Sequence, residues 1–136
     1  MRAEVRQFLV QQEKNPKSTA SIVNISASQG LASDSGFPSY CAAAHGIVGM
    51  TRATAMDYLK DGIRINCVCP GPSGGFGGES RDLDGIQKRT LPLPPVGLHI
   101  TPKEVAQAVV FLLGEGASGI TGIELPVDGG WSLYHH

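Results

Sequence analysis

YCAAAHGIVGMTRATAMDYLKDGIRINCVCPG, residues 40–71, carries the change of pattern that decides the fold. From Tyr40 to about Leu59 the residues are small, proline-free and helix-compatible, and Gly62 stops them. Ile63–Cys69 then reads as an apolar strand, closed by the turn pair Pro70-Gly71. Gly46 and Gly49 fall inside the helical stretch. Glycine costs about 1 kcal/mol there relative to alanine, so the pair predicts close backbone packing of this helix against another element.

On the upstream side, Ser21–Ile25 reads as a mostly buried strand, and residues 26–39 as a polar, glycine-rich loop. Before the strand, residues 2–13 place Val5, Phe8 and Leu9 on one face of an amphipathic helix. That helix begins almost at Met1 without a capping residue, as though an upstream turn were missing, and Asn15-Pro16-Lys17-Ser18 ends it. Downstream, residues 70–100 form a long loop holding GPSGGFGG at 71–78 and LPLPP at 91–95. A loop of such length is a functional lid or a disordered segment. Thr101 then caps a new helix, with Pro102 in its first position and Glu104 completing a capping box. Gly122–Val127 is a last strand, and Asp128-Gly129-Gly130 closes it as a structural turn. Helix and strand alternate three times, which implies parallel strands with helical crossovers and an α/β layered domain.

Composition narrows the function classes. Hydrophobic residues at 41% against 17% charged are enough for a packed core. A net charge of −1 offers no footprint for nucleic acid or an anionic membrane. No apolar run approaches a membrane span, and the opening MRAEVRQFLVQQEK has no signal-peptide core. The expectation is a soluble, cytoplasmic protein. Cys41, Cys67 and Cys69 lack metal-site spacing and read as small buried hydrophobes, so no metal is expected. His135-His136 reads as a tail, and His99 as an exposed loop residue. Asp57 and Arg64 are expected in ion pairs at the surface or at a helix end.

Five segments, IVNISASQG (22–30), YCAAAHGIVGMTRATAMDY (40–58), GIRINCVCPG (62–71), TPKEVAQAVVFLL (101–113) and ITGIELPVDGG (120–130), resemble the second half of short-chain dehydrogenases/reductases in order and spacing. The resemblance covers nearly the whole chain except the loop at 72–100. It implies a truncated, Rossmann-like three-layer α/β fold of about three parallel strands with flanking helices. Residues 1–136 would form one domain, with 72–100 as its variable lid.

The resemblance also implies a chemistry and the residues that carry it. Such enzymes seat a nicotinamide dinucleotide on a glycine-rich turn after the first strand. A tyrosine serves as general acid or base, a lysine four residues later lowers its pKa and holds the nicotinamide ribose, and a serine polarises the substrate oxygen. An asparagine in the preceding helix completes a proton relay. Here the tyrosine is Tyr40, the lysine position is Ala44, and the serine position is Ala27, flanked by Ser26 and Ser28. The glycine-rich turn and the relay asparagine would lie before Met1. Pro70-Gly71 would remain as a vestige of the cofactor site, and the threonine that commonly follows falls among glycines near Gly74-Gly75.

Magnitudes then separate the possibilities. A free phenol titrates near pH 10, and bringing one to 7 takes roughly 4 kcal/mol from neighbouring charge and hydrogen bonds. Ala44 supplies none, and His45 points about 100° away round the helix. The expectation is therefore no bound cofactor and no hydride transfer. The leading reading is a cofactor-independent enzyme on a small-molecule substrate, an isomerase, cyclase or dehydratase. It would use Tyr40 with Ser26 or Ser28 in a pocket under the 72–100 loop. The alternatives are a catalytically dead interaction or regulatory subunit, and a truncated fragment of an NAD(P)-dependent oxidoreductase.

Half of such a sheet leaves the 21–26 strand with a bare parallel edge. A homodimer or higher oligomer through helices 2–13 and 40–59 is the expected cover, or else a full-length relative as partner.

Overall fold

The computed structural model describes residues 1–15, 18–72, 95–97 and 99–134. Three parallel strands and three helices alternate along the chain: α1 (Arg2–Lys14), β1 (Ala20–Ile25), α2 (Pro38–Asp57), β2 (Ile63–Pro70), α3 (Pro102–Leu113) and β3 (Glu124–Val127). The sheet order is β1-β2-β3. Ala20 pairs with Ile63 through to Ile25 with Val68, and Cys67 with Glu124 through to Pro70 with Val127.

The strand alternation sorts the side chains into two cores. Ile63 and Ile65 pack with Val5 of α1 and Ala55 of α2 on one face, and Cys67 and Cys69 continue that face under Val48. Val68 packs with Leu112 of α3 and Ala117 on the other. Two helices thus cover one face and one helix the other, which is the three-layer arrangement of a partial Rossmann-like sheet.

Local chemistry sets most of the boundaries. Pro38 occupies the first turn of α2, so the helix starts two residues earlier than the small-residue pattern suggests. It ends at Asp57, and residues 59–61 tighten into a 3-10 turn before Gly62, whose φ of +64° carries the chain into β2. The capping box of α3 is formed: the Thr101 hydroxyl accepts from the Glu104 amide, and the Glu104 carboxylate accepts from the Thr101 amide at 2.7 Å. β3 starts at Glu124 rather than Gly122, because Gly122 at φ +74° lies in the bend before it. The end of α1 at Lys14 fits the expected break, although Pro16 and Lys17 lie outside the described residues.

Two expectations need correction. Among the described residues Arg64 has no ion-pair partner: its guanidinium donates to the carbonyls of Leu112, Leu113, Gly114 and Ile120 at 2.8–3.4 Å. The ion pair that does tie a helix to the sheet joins Arg52 of α2 to Glu124 of β3. Gly46 and Gly49 face no neighbouring element among the described residues either. A Cβ at either position would meet no described atom within 4 Å. Burial also distinguishes the strands: β2 is buried almost throughout, whereas every residue of β1 is only partly covered and Ile25 is exposed. Among the described residues β1 has a strand partner on one side alone.

Candidate functional site

Parallel strands bring their carboxyl ends to one edge of the sheet, where α/β folds bind their ligands. At that edge three turns meet. Ser26–Leu31 follows β1, Pro70–Pro72 follows β2, and Asp128–Ser132 follows β3. α2 returns antiparallel to the strands and therefore begins at the same edge, with Tyr40 in its first turn.

The first turn is held from both sides. The Ser26 amide donates to the Val68 carbonyl, extending the ladder by one residue, and the Ser26 hydroxyl donates to the Ala44 carbonyl at 2.9 Å. Ala27 is buried, and Ser28 opens a 3-10 turn in which its carbonyl accepts from Leu31 and Ala32. The Ser28 hydroxyl donates to Gln29 Oε1 at 3.2 Å, and the residue has no exposed surface. Gly30 lies against α2, where a Cβ would stand 2.9 Å from the Ala44 carbonyl oxygen. Both serines are thus committed to the framework of the turn.

The third turn is organised by Asp128, which is buried. One carboxylate oxygen accepts from the Gly130 amide and the other from the Ser132 amide, both at 2.9 Å. That turn carries Trp131 beneath the edge, and the 28–30 turn packs against residues 131–134. The second turn is tied to it, since the Gly71 amide donates to the Val127 carbonyl. Ile100 donates to the Pro72 carbonyl at 3.2 Å, and Val96 to the Gly129 carbonyl. The two ends of the 72–100 loop therefore meet at this edge, while residues 73–94 and Leu98 lie outside the described residues, as does the Gly74-Gly75 position.

Tyr40 is 54% exposed, at the top of a helix stripe of which Ala44, Val48, Thr51 and Ala55 are all buried. Among the described residues no hydrogen bond joins its hydroxyl to Ser26 or Ser28. The fold brings the three candidates to one edge and leaves only Tyr40 facing outward. A separate open depression of about 470 Å³, lined by Arg2, Arg6, Gln7 and Val10 on the outer face of α1, contains none of them.

A nicotinamide ribose would need an ammonium where Ala44 stands. Ala44 offers a methyl group with 4% exposure, and its carbonyl is already taken by Ser26. The described residues of this chain do not by themselves fit that group. The three cysteines are free and buried, as their spacing implied. His99 is exposed, and no described helix is long and apolar enough to cross a membrane.

Comparison with known proteins agrees with this geometry. The profile of the family described as Enoyl-(Acyl carrier protein) reductase matches residues 5–132. The 2-(S)-hydroxypropyl-CoM dehydrogenase 3 of Xanthobacter autotrophicus is 41% identical over 114 residues, which are 80% of this chain and 45% of that protein. The meso-2,3-butanediol dehydrogenase of Serratia marcescens is 40% identical over 119 residues, 84% of this chain and 45% of the enzyme. The crystal structure of acetoin dehydrogenase YohF from Salmonella typhimurium superposes with a TM-score of 0.74 at 28% identity, covering 94% of this chain and 47% of that one. The chain thus spans about half the length of the relatives it matches.

Proposed function

Because the chain belongs to the short-chain dehydrogenase/reductase family, we propose that it is the substrate-side half of an oxidoreductase scaffold for a small secondary alcohol or ketone. The observation that carries this reading is Tyr40, exposed at the carboxyl edge above a buried helix stripe. Relatives named for hydroxypropyl, butanediol and acetoin substrates support the substrate class. The dinucleotide-binding half is the part that the resemblance places before Met1, and redox chemistry requires it. Ala27 and Ala44 weaken that chemistry here, since they remove the polarising hydroxyl and the ammonium.

A chimera tests the reading. Joined behind the first half of the Serratia butanediol dehydrogenase, this chain is expected to oxidise butanediol feebly with a nicotinamide dinucleotide. Ala27→Ser with Ala44→Lys should raise turnover by about 10²-fold or more, and Tyr40→Phe should abolish the gain. A folded chimera that stays inactive after both restorations refutes the proposal.

The same two alanines favour a second reading. Tyr40, with Ser26 or Ser28, would then polarise a small substrate for isomerisation, cyclisation or dehydration without a cofactor. Ser26 and Ser28 would first have to release their present partners, so Tyr40 bears most of that role. Under a third reading the chain is a catalytically dead interaction or regulatory subunit.

We also propose self-association through α1 and α2. Ala42, Ala43, Gly46, Gly49 and Met50 form an exposed small and apolar strip on α2, and the empty space beside both glycines admits a close helix from a second copy. A full-length relative is the alternative partner.

A further inference from the structure

We propose that Cys67 and Cys69 form a two-thiolate binding site for a soft divalent metal cation of low coordination number, on the face of β2 that α2 covers. This inference stands on the geometry of β2 and is independent of the functional reading above. Alternate side chains of a strand point to the same face, so the two thiols lie side by side, with their Sγ atoms 4.0 Å apart. Both are fully buried, beside Val48 and the partly buried Leu31 and Ile47.

Two thiols this close can be joined either by a disulfide or by an ion, and the strand decides between them. A disulfide needs sulfurs about 2.05 Å apart and Cβ atoms about 3.8 Å apart. Same-face neighbours on a strand are two rises apart, roughly 6.6 Å. Closure would draw the sulfurs together by about 2 Å and buckle β2, which is hydrogen-bonded to β1 and β3 on its two sides. Metal–sulfur bonds of about 2.3 Å span 4.0 Å with an angle near 120° at the metal. A collinear arrangement asks the sulfurs to part by only about 0.6 Å.

Charge and ligand number narrow the ion. A divalent cation displaces one proton from each thiol, M²⁺ + 2 RSH → M(SR)₂ + 2 H⁺. The product is neutral, which is what an apolar cluster tolerates. Thiolates select soft cations. Among the described residues no group of three or more His, Cys, Asp or Glu side chains could hold an ion. The described neighbours Val48, Leu31 and Ile47 are apolar, so the site is proposed for an ion that two thiolates satisfy rather than for zinc with its four ligands.

Mercuric ion is the probe, titrated into the intact, reduced chain. The first equivalent should release two protons, raise a thiolate-to-metal ultraviolet band, and lower the thiols titratable after denaturation from three to one. Cys67→Ala or Cys69→Ala should cut the release to one proton, whereas Cys41→Ala should leave two. Either of the first two variants suffices if circular dichroism shows the other unfolded. The proposal is overturned if Cys41→Ala removes the two-proton step, if both Cys67→Ala and Cys69→Ala retain it, or if the native chain takes up no mercury. A Cys67–Cys69 disulfide formed readily in the native chain by diamide would overturn it equally.

Discussion

A Cβ built on Gly71 would stand 2.6 Å from the Cα of Asp128. The backbone after β2 therefore rests directly on the turn that follows β3, and that contact sets two of the three turns at the carboxyl edge. Gly71→Ala places a methyl group against backbone rather than against a movable side chain. Overpacking of this kind costs about 1–3 kcal/mol. The variant should show a lower urea midpoint at an unchanged slope, and wild-type stability would contradict the contact.

Arg64 holds the end of α3 to β2 through the carbonyls of Leu112, Leu113 and Gly114, and also bonds the Ile120 carbonyl beyond the helix. The Leu112 and Leu113 carbonyls lie in the last turn of α3, where no intrahelical donor reaches them, and hydrogen bonds to a charged group contribute about 1.5–3 kcal/mol. Arg64→Met is expected to lower stability by about 2 kcal/mol, and Arg64→Lys should recover only part of it because an ammonium lacks the guanidinium's span. Full recovery by lysine in denaturant titrations would show that charge alone mattered.

Glu104 titrates below its ordinary value of 4.5, first because the Thr101 backbone amide donates to it and then because the Thr101 hydroxyl does. A folded-state value below the unfolded one means that the charged form stabilises the folded chain. The contribution is complete above the unfolded value and is lost as pH falls through the folded value. Glu104→Gln should therefore be less stable than wild type near pH 7, with the gap shrinking as pH falls through and below the ordinary value of 4.5. A gap that stays constant across that range would assign the effect to something other than ionisation.

Gly46 tests the proposed self-association. Its side-chain position meets no described atom within 4 Å, so Gly46→Glu clashes with none of the described residues. Sedimentation is expected to show an oligomer for the wild type and a folded monomer for the variant, since a carboxylate on a closely packed helix face is not tolerated. A wild-type monomer, or an unaffected oligomer, removes α2 from the interface.

What was legible in the sequence was what short-range chemistry controls. The capping box at Thr101 and Glu104, the break at Gly62 and the apolar run of β2 each depend on residues within a few positions of one another. Those signals are local, so element type, order and parallel pairing could be read from them. The placing of Tyr40 at the carboxyl edge follows from the same alternation.

The commitments of the polar groups were not legible, because their partners arrive from distant parts of the chain. Nothing near Arg64 announces carbonyls some fifty positions later, and an arginine beside an aspartate-containing helix invites the ion-pair reading instead. Ser26 and Ser28 looked equally available, yet one is bonded to α2 and the other is sealed beneath the edge. The glycines of α2 promised close packing against another element, and no described part of this chain supplies it. By itself the sequence determined the secondary structure and its parallel order, since backbone preference and hydrophobic period act over a few residues. Only the tertiary structure decided which hydroxyls, carbonyls and thiols meet, because burial assigns each polar group whatever partner the packed layers bring within reach.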